Sequence, residues 1–435
     1  MKRKKSYWAA SVVLVLLGTA ITHTPAYAVD EEPTVKSLTT GCSKLPLATA
    51  KVGVLVPLGA AFASDTQQVV DAAGIAISKL NAAGGVCGKT KRYKLQIVKG
   101  NTQGMESSAV IAAANLLNTT KDLNFVMTSY ASQSNFEIDL MAKNKMPYLM
   151  SANSQQTAAI ISKNPSKYPT IWSRVPSYTG YETELPRVLN GLETEGKIKF
   201  ANGKTVYIIA ATDPYGQTIA EGLKKSFPAN GWKVIGYDEI PPAGTTNWQA
   251  NLTKIKLDVP DIIVNTNSTA SDGAAFANQF AASPTNSLVF LQYSPSVPEF
   301  RDLAKDNANG IIYNMLGGAI PTLASTKEIT AEFSAKFGTP GYFAVVAYDQ
   351  LMIYANCIKK TGDPTNRLAI GKCLGNSNLK TAAGVLKFDQ KTHLALQSDD
   401  TYPILFSQIQ DGKLNVFFPS KYASGNTFQK PKWMK

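Results

Sequence analysis

Histidine is scarce in this chain, and its scarcity limits the chemistry available. The 435 residues include two histidines, and only His393 lies beyond residue 28. Imidazole is the commonest general acid–base group and a frequent zinc ligand. The sequence also lacks a Cys-x-x-Cys pair, a Gly-x-Ser-x-Gly elbow, a Gly-x-Gly-x-x-Gly loop and a phosphate-binding loop. We therefore expect no metal, no cofactor and no enzymatic activity.

After the N-terminal segment, the sequence also lacks long apolar runs. A membrane-spanning helix would need about 20 apolar residues. Residues 2–5 are all basic, residues 8–21 are mostly apolar, and residues 26–28 read Ala-Tyr-Ala. This order is typical of a secretory signal peptide. We predict cleavage after Ala28 and a periplasmic protein, with an uncleaved anchor as the alternative. A lipoprotein is not expected, because Cys42 lies well beyond the apolar run.

Acidic residues are outnumbered, since 44 Lys and Arg face 31 Asp and Glu, for a net charge of +13. Removal of the first 28 residues, with four basic residues and no acidic one, lowers this charge to +9. No basic block follows residue 5, and the lysines are scattered. This pattern favours a solvated basic surface and gives no indication of a nucleic-acid partner.

Four cysteines lie in a chain that we expect to reach an oxidising compartment, and they allow three pairings. We favour Cys42 with Cys87 and Cys357 with Cys373, because each pair closes a local loop within one half of the chain. Each bond would contribute about 3–4 kcal/mol if loop entropy dominates.

Strands and helices alternate along most of the chain, which predicts an α/β fold with doubly wound parallel sheets. About 400 mature residues exceed what a single core supports, so we expect two lobes. In the first half the pattern predicts strands at 51–57, 93–98, 124–128 and 147–150, with helices at 65–80, 105–118 and 133–143. It restarts with a connecting strand at 170–175, helices at 178–196, 217–230, 247–256 and 271–281, and strands at 205–210, 232–240, 261–265 and 288–291.

The C-terminal part has a different character. Helices are predicted at 326–337 and 342–360, and the second is apolar nearly all round, so it should be buried. Helices left over after a second lobe indicate a return of the chain to the first. Strands at about 402–408 and 414–418 meet at Asp411-Gly412, a strong hairpin signal. Residues 420–435 are polar and predict a loose tail.

Several of these segments resemble the type I periplasmic binding proteins, in particular the leucine/isoleucine/valine-binding branch that serves ABC importers. The resemblance spans residues 51–418, and it lies in the order and spacing of individually weak motifs. They are Val54-Leu-Val-Pro-Leu58, Leu80-Asn-Ala-Ala-Gly-Gly85, Leu95-Gln-Ile-Val98, Asp213-Pro-Tyr-Gly216 and Tyr348-Asp349.

This resemblance implies two lobes joined by a three-segment hinge, with the ligand in the cleft and the final strands on the second lobe. We expect a signal peptide at 1–28, an N-terminal extension at 29–47, a first lobe at 48–175 with 317–395, a second lobe at 176–316 with 396–418, and a polar tail at 419–435. The partners would be a small solute and an ABC permease of the inner membrane, and the protein should be a monomer.

Two polar loops of the first lobe are candidates for the ligand site, because ligands bind beyond the carboxyl ends of parallel strands. They are residues 128–134 and 151–155, and each leads into a helix whose free N–H groups favour a carboxylate. By resemblance, Ser132, Ala152 and Ser154 match the positions that hold an amino acid's carboxylate. Helix capping by serine is the alternative.

The second lobe would close over the ligand with aromatic residues. Tyr215, in the Asp213–Gly216 motif, matches a tyrosine that covers the ligand in the family, and aromatic packing at the lobe surface is the alternative. Tyr293 follows another strand end and could line the same cleft. The loop at 58–64, with Phe62 near its middle, would complete the mouth.

One position departs from the family. Its amino-acid binders carry an acid to pair with the ligand ammonium where this chain has Ser294, and a tyrosine where it has Ser268. Because a buried ammonium without an acidic partner is costly, either Asp272 or Asp349 supplies the charge or the ligand has no ammonium. A structural hydrogen bond is the alternative role for Asp349. Amides, urea-like solutes and aromatic or short carboxylic acids then join amino acids as candidate ligands.

The predicted function is therefore an extracytoplasmic solute-binding component of an ABC importer. A binding protein that presents its ligand to a membrane receptor is the nearest alternative, and a hydrolase is less favoured. A transcription factor on this fold would need a DNA-binding helix-turn-helix and no signal peptide.

Overall fold

The computed structural model describes residues 28–59, 63–132, 135–425 and 427–435. The predicted signal peptide, apart from Ala28, and Phe62 of the predicted mouth lie outside these residues. No helix among the described residues is long and apolar enough to cross a membrane.

The first sheet forms from the N-terminal half of the chain, where short apolar strands alternate with helices. The strands are β1 (Leu47–Val56), β2 (Val86–Cys87), β3 (Arg92–Asn101), β4 (Leu123–Thr128), β5 (Tyr148–Met150) and β6 (Ile171–Ser173). They lie in the order β2-β3-β1-β4-β5-β6, and all neighbours are parallel except β2 and β3. The strands β4, β5 and β6 are buried throughout, as parallel strands covered on both faces require.

Five helices accompany these strands, and we call the part of the molecule that packs on this sheet the first lobe. They are α1 (Val35–Thr39), α2 (Ala63–Ala82), α3 (Ser107–Thr119), α4 (Ile138–Lys143) and α5 (Ser154–Ile161). The predicted apolar face of α2 is buried in the core, including Val69, Ala76 and Leu80. Helix α4 begins at Ile138, so the prediction of a helix from residue 133 was too long at its N-terminal end.

The chain then builds a second lobe by the same alternation. Its elements are α6 (Thr179–Thr194), β7 (Thr205–Ala211), α7 (Pro214–Ala229), β8 (Lys233–Ile240), α8 (Gln249–Leu257), β9 (Ile262–Asn265), α9 (Ala270–Ala282), β10 (Leu288–Leu291), α10 (Pro298–Ala304) and β11 (Ile312–Leu316). The five strands form parallel neighbours with alternating helices on their faces, which is the doubly wound arrangement that the sequence predicts.

The C-terminal part returns to the first lobe and then adds two strands to the second. It contains α11 (Ala324–Phe337), α12 (Tyr342–Thr361), α13 (Arg367–Gly375), β12 (Leu379–Thr381), β13 (Gly384–Leu386), β14 (Ile404–Gln410) and β15 (Lys413–Phe418). The apolar helix α12 is buried in the first-lobe core together with α2. Strands β14 and β15 pair antiparallel and complete the second sheet, in the order β15-β14-β11-β10-β9-β7-β8. Asp411 and Gly412 both have positive φ at the hairpin turn, as the predicted turn requires.

Two disulfides link the cysteines as the local-loop argument predicts. Cys42 pairs with Cys87, and Cys357 with Cys373, with Cα–Cα distances of 5.5 and 5.7 Å. The first bond ties the segment before β1 to β2, and the second ties α12 to α13. Both therefore strengthen the first lobe.

Three connections join the two sheets, at residues 174–178, 317–323 and 387–403. The predicted lobe borders fall within these connections or beside them, and their exact positions stay a prediction. Arg174 lies in the first connection and touches the other two. Its Nη1 donates to the Gly317 carbonyl oxygen and its Nη2 to the Tyr402 hydroxyl oxygen, each at 3.4 Å.

Arg174 also forms a buried ion pair with Asp349 of α12. The Nη2 to Oδ2 distance is 3.1 Å, and the two side chains are 1% and 5% exposed. Burial lowers the pKa of Arg174, but Tyr402 and Asp349 raise it by more, so the guanidinium stays charged. The pair thus fixes the connections to the core of the first lobe.

The C-terminal residues form part of the second lobe, so the prediction of a loose tail was wrong. Phe428 and Met434 are buried in its core, and Trp433 packs at the edge. The Trp433 Nε1 donates to the Ser287 carbonyl oxygen at 2.9 Å, and the Gln408 Nε2 donates to the Gln429 carbonyl oxygen at 2.8 Å. Three large apolar side chains in a mostly polar segment are enough to anchor it.

Loss of one member of the buried ion pair should destabilise the protein strongly. We expect Asp349→Asn to lower the free energy of unfolding by about 3–5 kcal/mol, because it leaves the Arg174 charge buried without its counterion. Lys336→Ala breaks an exposed pair with Glu332 on α11 and should cost less than about 0.5 kcal/mol. Urea unfolding of both variants measures the difference, and equal losses would contradict this role.

The packed tail gives a second stability prediction. Phe428→Ala should lower the free energy of unfolding by about 3 kcal/mol, because it removes a buried aromatic side chain from the second-lobe core. Lys430→Ala, at a neighbouring exposed position, is the control. Thermal denaturation distinguishes the two, and a Phe428→Ala midpoint equal to that of the control would show that the tail does not contribute to stability.

Candidate ligand-binding cleft

The loops after the carboxyl ends of both sheets face one another, and the lobes touch along this line. The Tyr293 hydroxyl of the second lobe donates to the Asp65 Oδ2 of the first at 2.6 Å. The Ser64 hydroxyl donates to the Glu299 Oε2 at 3.0 Å. Since ligands of open parallel sheets bind at this edge, these contacts mark the candidate site.

The first-lobe side of the cleft is formed by the loops after β4 and β5. Asn153 adopts the left-handed conformation, with φ 54°, which Asn tolerates better than most residues. Its Nδ2 donates to the Ser132 carbonyl oxygen and to the Asn135 Oδ1. These hydrogen bonds fix the two loops to each other and place Ser132, Ala152 and Ser154 on the same side of the cleft.

The hydroxyl groups of the two candidate serines differ in their hydrogen bonds. The Ser132 hydroxyl donates to the Glu137 Oε2 at 3.0 Å and accepts from the Asn135 backbone N–H at 2.9 Å, within the loop that precedes α4, and it does not cap that helix. Ser154 is the first residue of α5 and is fully buried, and its Oγ has no hydrogen-bond partner among the described residues. Ala152 is partly buried beside them.

A group of tyrosines forms the second-lobe side. Asp213 caps α7 by accepting from the backbone N–H groups of Tyr215 and Gly216, and Pro214 suits the first helical position, so the motif places Tyr215 at the lobe edge. Tyr215 packs edge-on against Tyr178, with ring centroids 5.3 Å apart. Its hydroxyl oxygen accepts from the Gln292 Nε2 at 2.9 Å.

Tyr178 connects the tyrosine group to the first lobe. Burial raises the pKa of its phenol, and the backbone N–H groups of Asn153 and Ser154, which are hydrogen-bonded to its hydroxyl oxygen, lower it. A continuous path of contacts therefore runs from Ser154 through Tyr178 and Tyr215 to Gln292. Sequence reasoning missed both Tyr178 and Gln292.

Tyr293 is held in an unusual backbone conformation, with φ 66° and ψ −52°. The Ser294 backbone N–H donates to the Gln292 carbonyl oxygen at 2.8 Å, which closes a three-residue turn of the strained γ class. Strained turns of this kind concentrate at functional sites. The turn directs the Tyr293 ring at the first lobe, where its centroid lies 6.2 Å from that of Phe343.

Ser294 and Ser268, at which the chain departs from the family pattern, make fewer contacts with the cleft than the other candidate residues do. Ser294 is fully buried, and its Oγ lies against α9, where a Cβ on Gly273 would come within 2.5 Å of it. Ser268 is half-buried in the loop between β9 and α9. Within the described parts of the chain, no hydrogen bond joins either side chain to the other candidate residues.

Asp272 and Asp349 both have structural partners. The Asp272 Oδ2 accepts from the Thr245 backbone N–H at 2.8 Å and from the Asn267 Nδ2 at 3.2 Å, which ties the loops after β8 and β9 together. Asp349 pairs with Arg174. The structural alternative for Asp349 is therefore the one that the contacts favour.

Asp65, in the first turn of α2, is a buried acid at the cleft. It is 8% exposed, and burial raises its pKa to about 7, while the Tyr293 hydroxyl opposes the shift and Glu299 adds to it. Sequence reasoning missed it because acids are common in the first turn of any helix. Its contact with Tyr293, which is 228 residues away in the sequence, distinguishes Asp65 from other acids in the first turn of a helix.

Comparisons with known proteins agree with this architecture. A family model described as periplasmic binding protein matches residues 49–412. A relative from Brucella melitensis, the Leu/Ile/Val-binding protein homolog 3, is 22% identical over 389 residues, covering 86% of this chain and 95% of the relative.

Solved structures show the same fold. A protein described as a branched-chain amino acid ABC transporter from Silicibacter pomeroyi has a TM-score of 0.78 at 24% identity, covering 89% of this chain and 100% of its own. A solute-binding protein from R. palustris in complex with benzoate has a TM-score of 0.67 at 16% identity, covering 88% and 100%. The chain therefore belongs to the periplasmic binding protein family, has the type I fold of that family, and is a solute-binding protein rather than an enzyme.

Proposed function

We propose that the protein is exported to the periplasm, with its signal peptide cleaved after Ala28, and binds a small polar solute in the cleft for delivery to an ABC permease. The proposed solute is an amino acid or a related carboxylate or amide. The protein would act as a monomer. The names of the relatives support an amino acid, and the benzoate complex shows that the same fold also holds a carboxylate without an ammonium.

One observation carries this proposal. Three buried polar atoms along the cleft have no hydrogen-bond partner among the described residues: Ser154 Oγ, Asp65 Oδ1 and Gln292 Oε1. Buried polar groups are nearly always hydrogen-bonded, and an unpartnered one costs about 1–3 kcal/mol. A polar ligand that reaches atoms of both lobes would remove this cost.

The proposed mechanism is closure about the three connections. A ligand that contacts Ser154 in one lobe and the tyrosine group in the other stabilises the closed form over the open one. The permease would recognise the closed surface. A wrong ligand would leave some of the three polar atoms unpaired and would be rejected for that reason.

Substitutions at the two sides of the cleft test the site. Ser154→Ala and Tyr215→Ala should each weaken ligand binding, and Ser154→Ala by about 10- to 100-fold if the lost hydrogen bond goes to a carboxylate. Isothermal titration measures the affinity, and circular dichroism checks that the variants fold. Ser166→Ala, on an exposed turn, is the matched control. Unchanged affinity in both cleft variants would contradict the site.

A thermal-shift panel tests the ligand class. Ligand-stripped protein is heated with amino acids, amides, and aromatic or short carboxylic acids. A ligand at 100 times its dissociation constant should stabilise the folded state by about 2.7 kcal/mol. A flat response across all classes would overturn the proposed solute range.

A further inference from the structure

Asp65 has an unsatisfied oxygen in a site that is otherwise closed. Its Oδ2 accepts from the Tyr293 hydroxyl at 2.6 Å. Its Oδ1 is buried and has no hydrogen-bond partner among the described residues. A carboxylate accepts several hydrogen bonds when it is ionised, so this side chain can accept a hydrogen bond from a donor on a bound molecule.

A cluster of aromatic rings adjoins the Asp65 carboxyl, and burial together with the Asp65 charge raises the pKa of the Tyr130, Tyr293 and Tyr342 phenols. The second lobe contributes Tyr293, and the first contributes Tyr130, Tyr342 and Phe343. The Phe343 ring centroid lies 5.0 Å from that of Tyr342 and 5.7 Å from that of Tyr130, and the Tyr293 centroid lies 6.4 Å from that of Tyr342. Aromatic faces attract cations and exclude water, which strengthens the interaction of a carboxylate with a cation.

The charges around Asp65 also favour the binding of a cation. Glu299, at the rim of the cleft, adds negative charge. No Lys or Arg within the described ranges forms an ion pair with Asp65. The Arg174 charge lowers the pKa of the neighbouring Tyr342 phenol, but Arg174 already forms its ion pair with Asp349. The described residues contain no group of three or more side chains that could hold a metal ion.

We propose that Asp65 receives an ammonium group of the ligand. This inference rests on the proposed function and narrows it: the ligand is then an amino acid or another amine-bearing solute, and not an amide or a simple carboxylic acid. The acid expected at Ser294 in the second lobe is replaced by an acid in the first turn of α2, on the opposite side of the cleft.

The same contact links recognition to closure. A bound ammonium keeps Asp65 ionised, and an ionised acceptor makes the hydrogen bond from Tyr293 shorter and stronger. A bound cation would therefore strengthen the contact by which Tyr293 reaches across the cleft. The strained turn at Tyr293 directs the hydroxyl at this acceptor.

Proton release gives a readout that a purely structural role for Asp65 would not change. Burial raises the pKa of Asp65 to about 7, and a bound cation lowers it. Ligand binding at pH 7 should therefore release about half a proton, which titration calorimetry in two buffers of different ionisation enthalpy measures. The release should decrease as the pH rises above 7, because Asp65 is then ionised before binding.

The experiment compares each of the nineteen amino acids other than proline with its des-amino analogue, in which hydrogen replaces the α-ammonium. We expect at least one amino acid to bind the wild-type protein and its analogue to bind at least 10-fold more weakly. Asp65→Asn should weaken the amino acid by about 10- to 100-fold, abolish proton release and leave the analogue unchanged. Asp71→Asn, on the same helix and hydrogen-bonded to Gln67, is the matched control and should bind as the wild type does.

Other outcomes separate the two proposals. If the analogues or amides bind the wild type as tightly as the amino acids do, the solute-binding proposal holds and the role of Asp65 is overturned. The role is also overturned if Asp65→Asn binds the amino acid with unchanged affinity, or if its proton release on binding between pH 5 and 8 equals that of the wild type. If the wild type binds no member of the panel, the proposed ligand class fails, and the Asp65 assignment fails with it.

Discussion

The buried guanidinium of Arg174 is the interaction on which the arrangement of the two lobes depends. It contacts the other two connections through Gly317 and Tyr402 and the first-lobe core through Asp349. A charge this deeply buried is costly unless its partners stay in place. The three connections are therefore held together at one point.

The two lobes contribute different kinds of chemical group to the candidate cleft. The first lobe presents the backbone N–H groups and hydroxyl at the start of α5, and it also carries the acid Asp65 on α2. The second lobe presents mainly tyrosines, which bury large areas at a small cost in side-chain entropy. In the proposed site, most of the polar groups that would contact the ligand therefore lie on the first lobe, and the second lobe adds Gln292 and the tyrosines that would cover it.

Local patterns predicted most of the fold. The alternation of strands and helices, the buried helix α12, the Asp411-Gly412 hairpin and both disulfides follow from periodicity and spacing. The helices α10 and α13 and the packed tail were missed, because short helices carry few periodic residues and Phe428, Trp433 and Met434 are too few to form a pattern. The positions of Ser132, Ala152, Ser154 and Tyr215 came from family resemblance. Asp65, Tyr178 and Gln292 were missed because their contacts join distant parts of the chain.

The packed tail places the two ends of the described chain on different lobes. Near the N-terminus, Asp30 donates its backbone N–H to Asn378 of the first lobe at 2.8 Å, and its side chain pairs with Lys360. At the C-terminus, the Lys435 backbone N–H donates to the Asn286 Oδ1 of the second lobe at 2.7 Å. A pair of fluorophores attached at the two ends would each move with one lobe, so energy transfer between them would report the angle between the lobes without a label in the cleft.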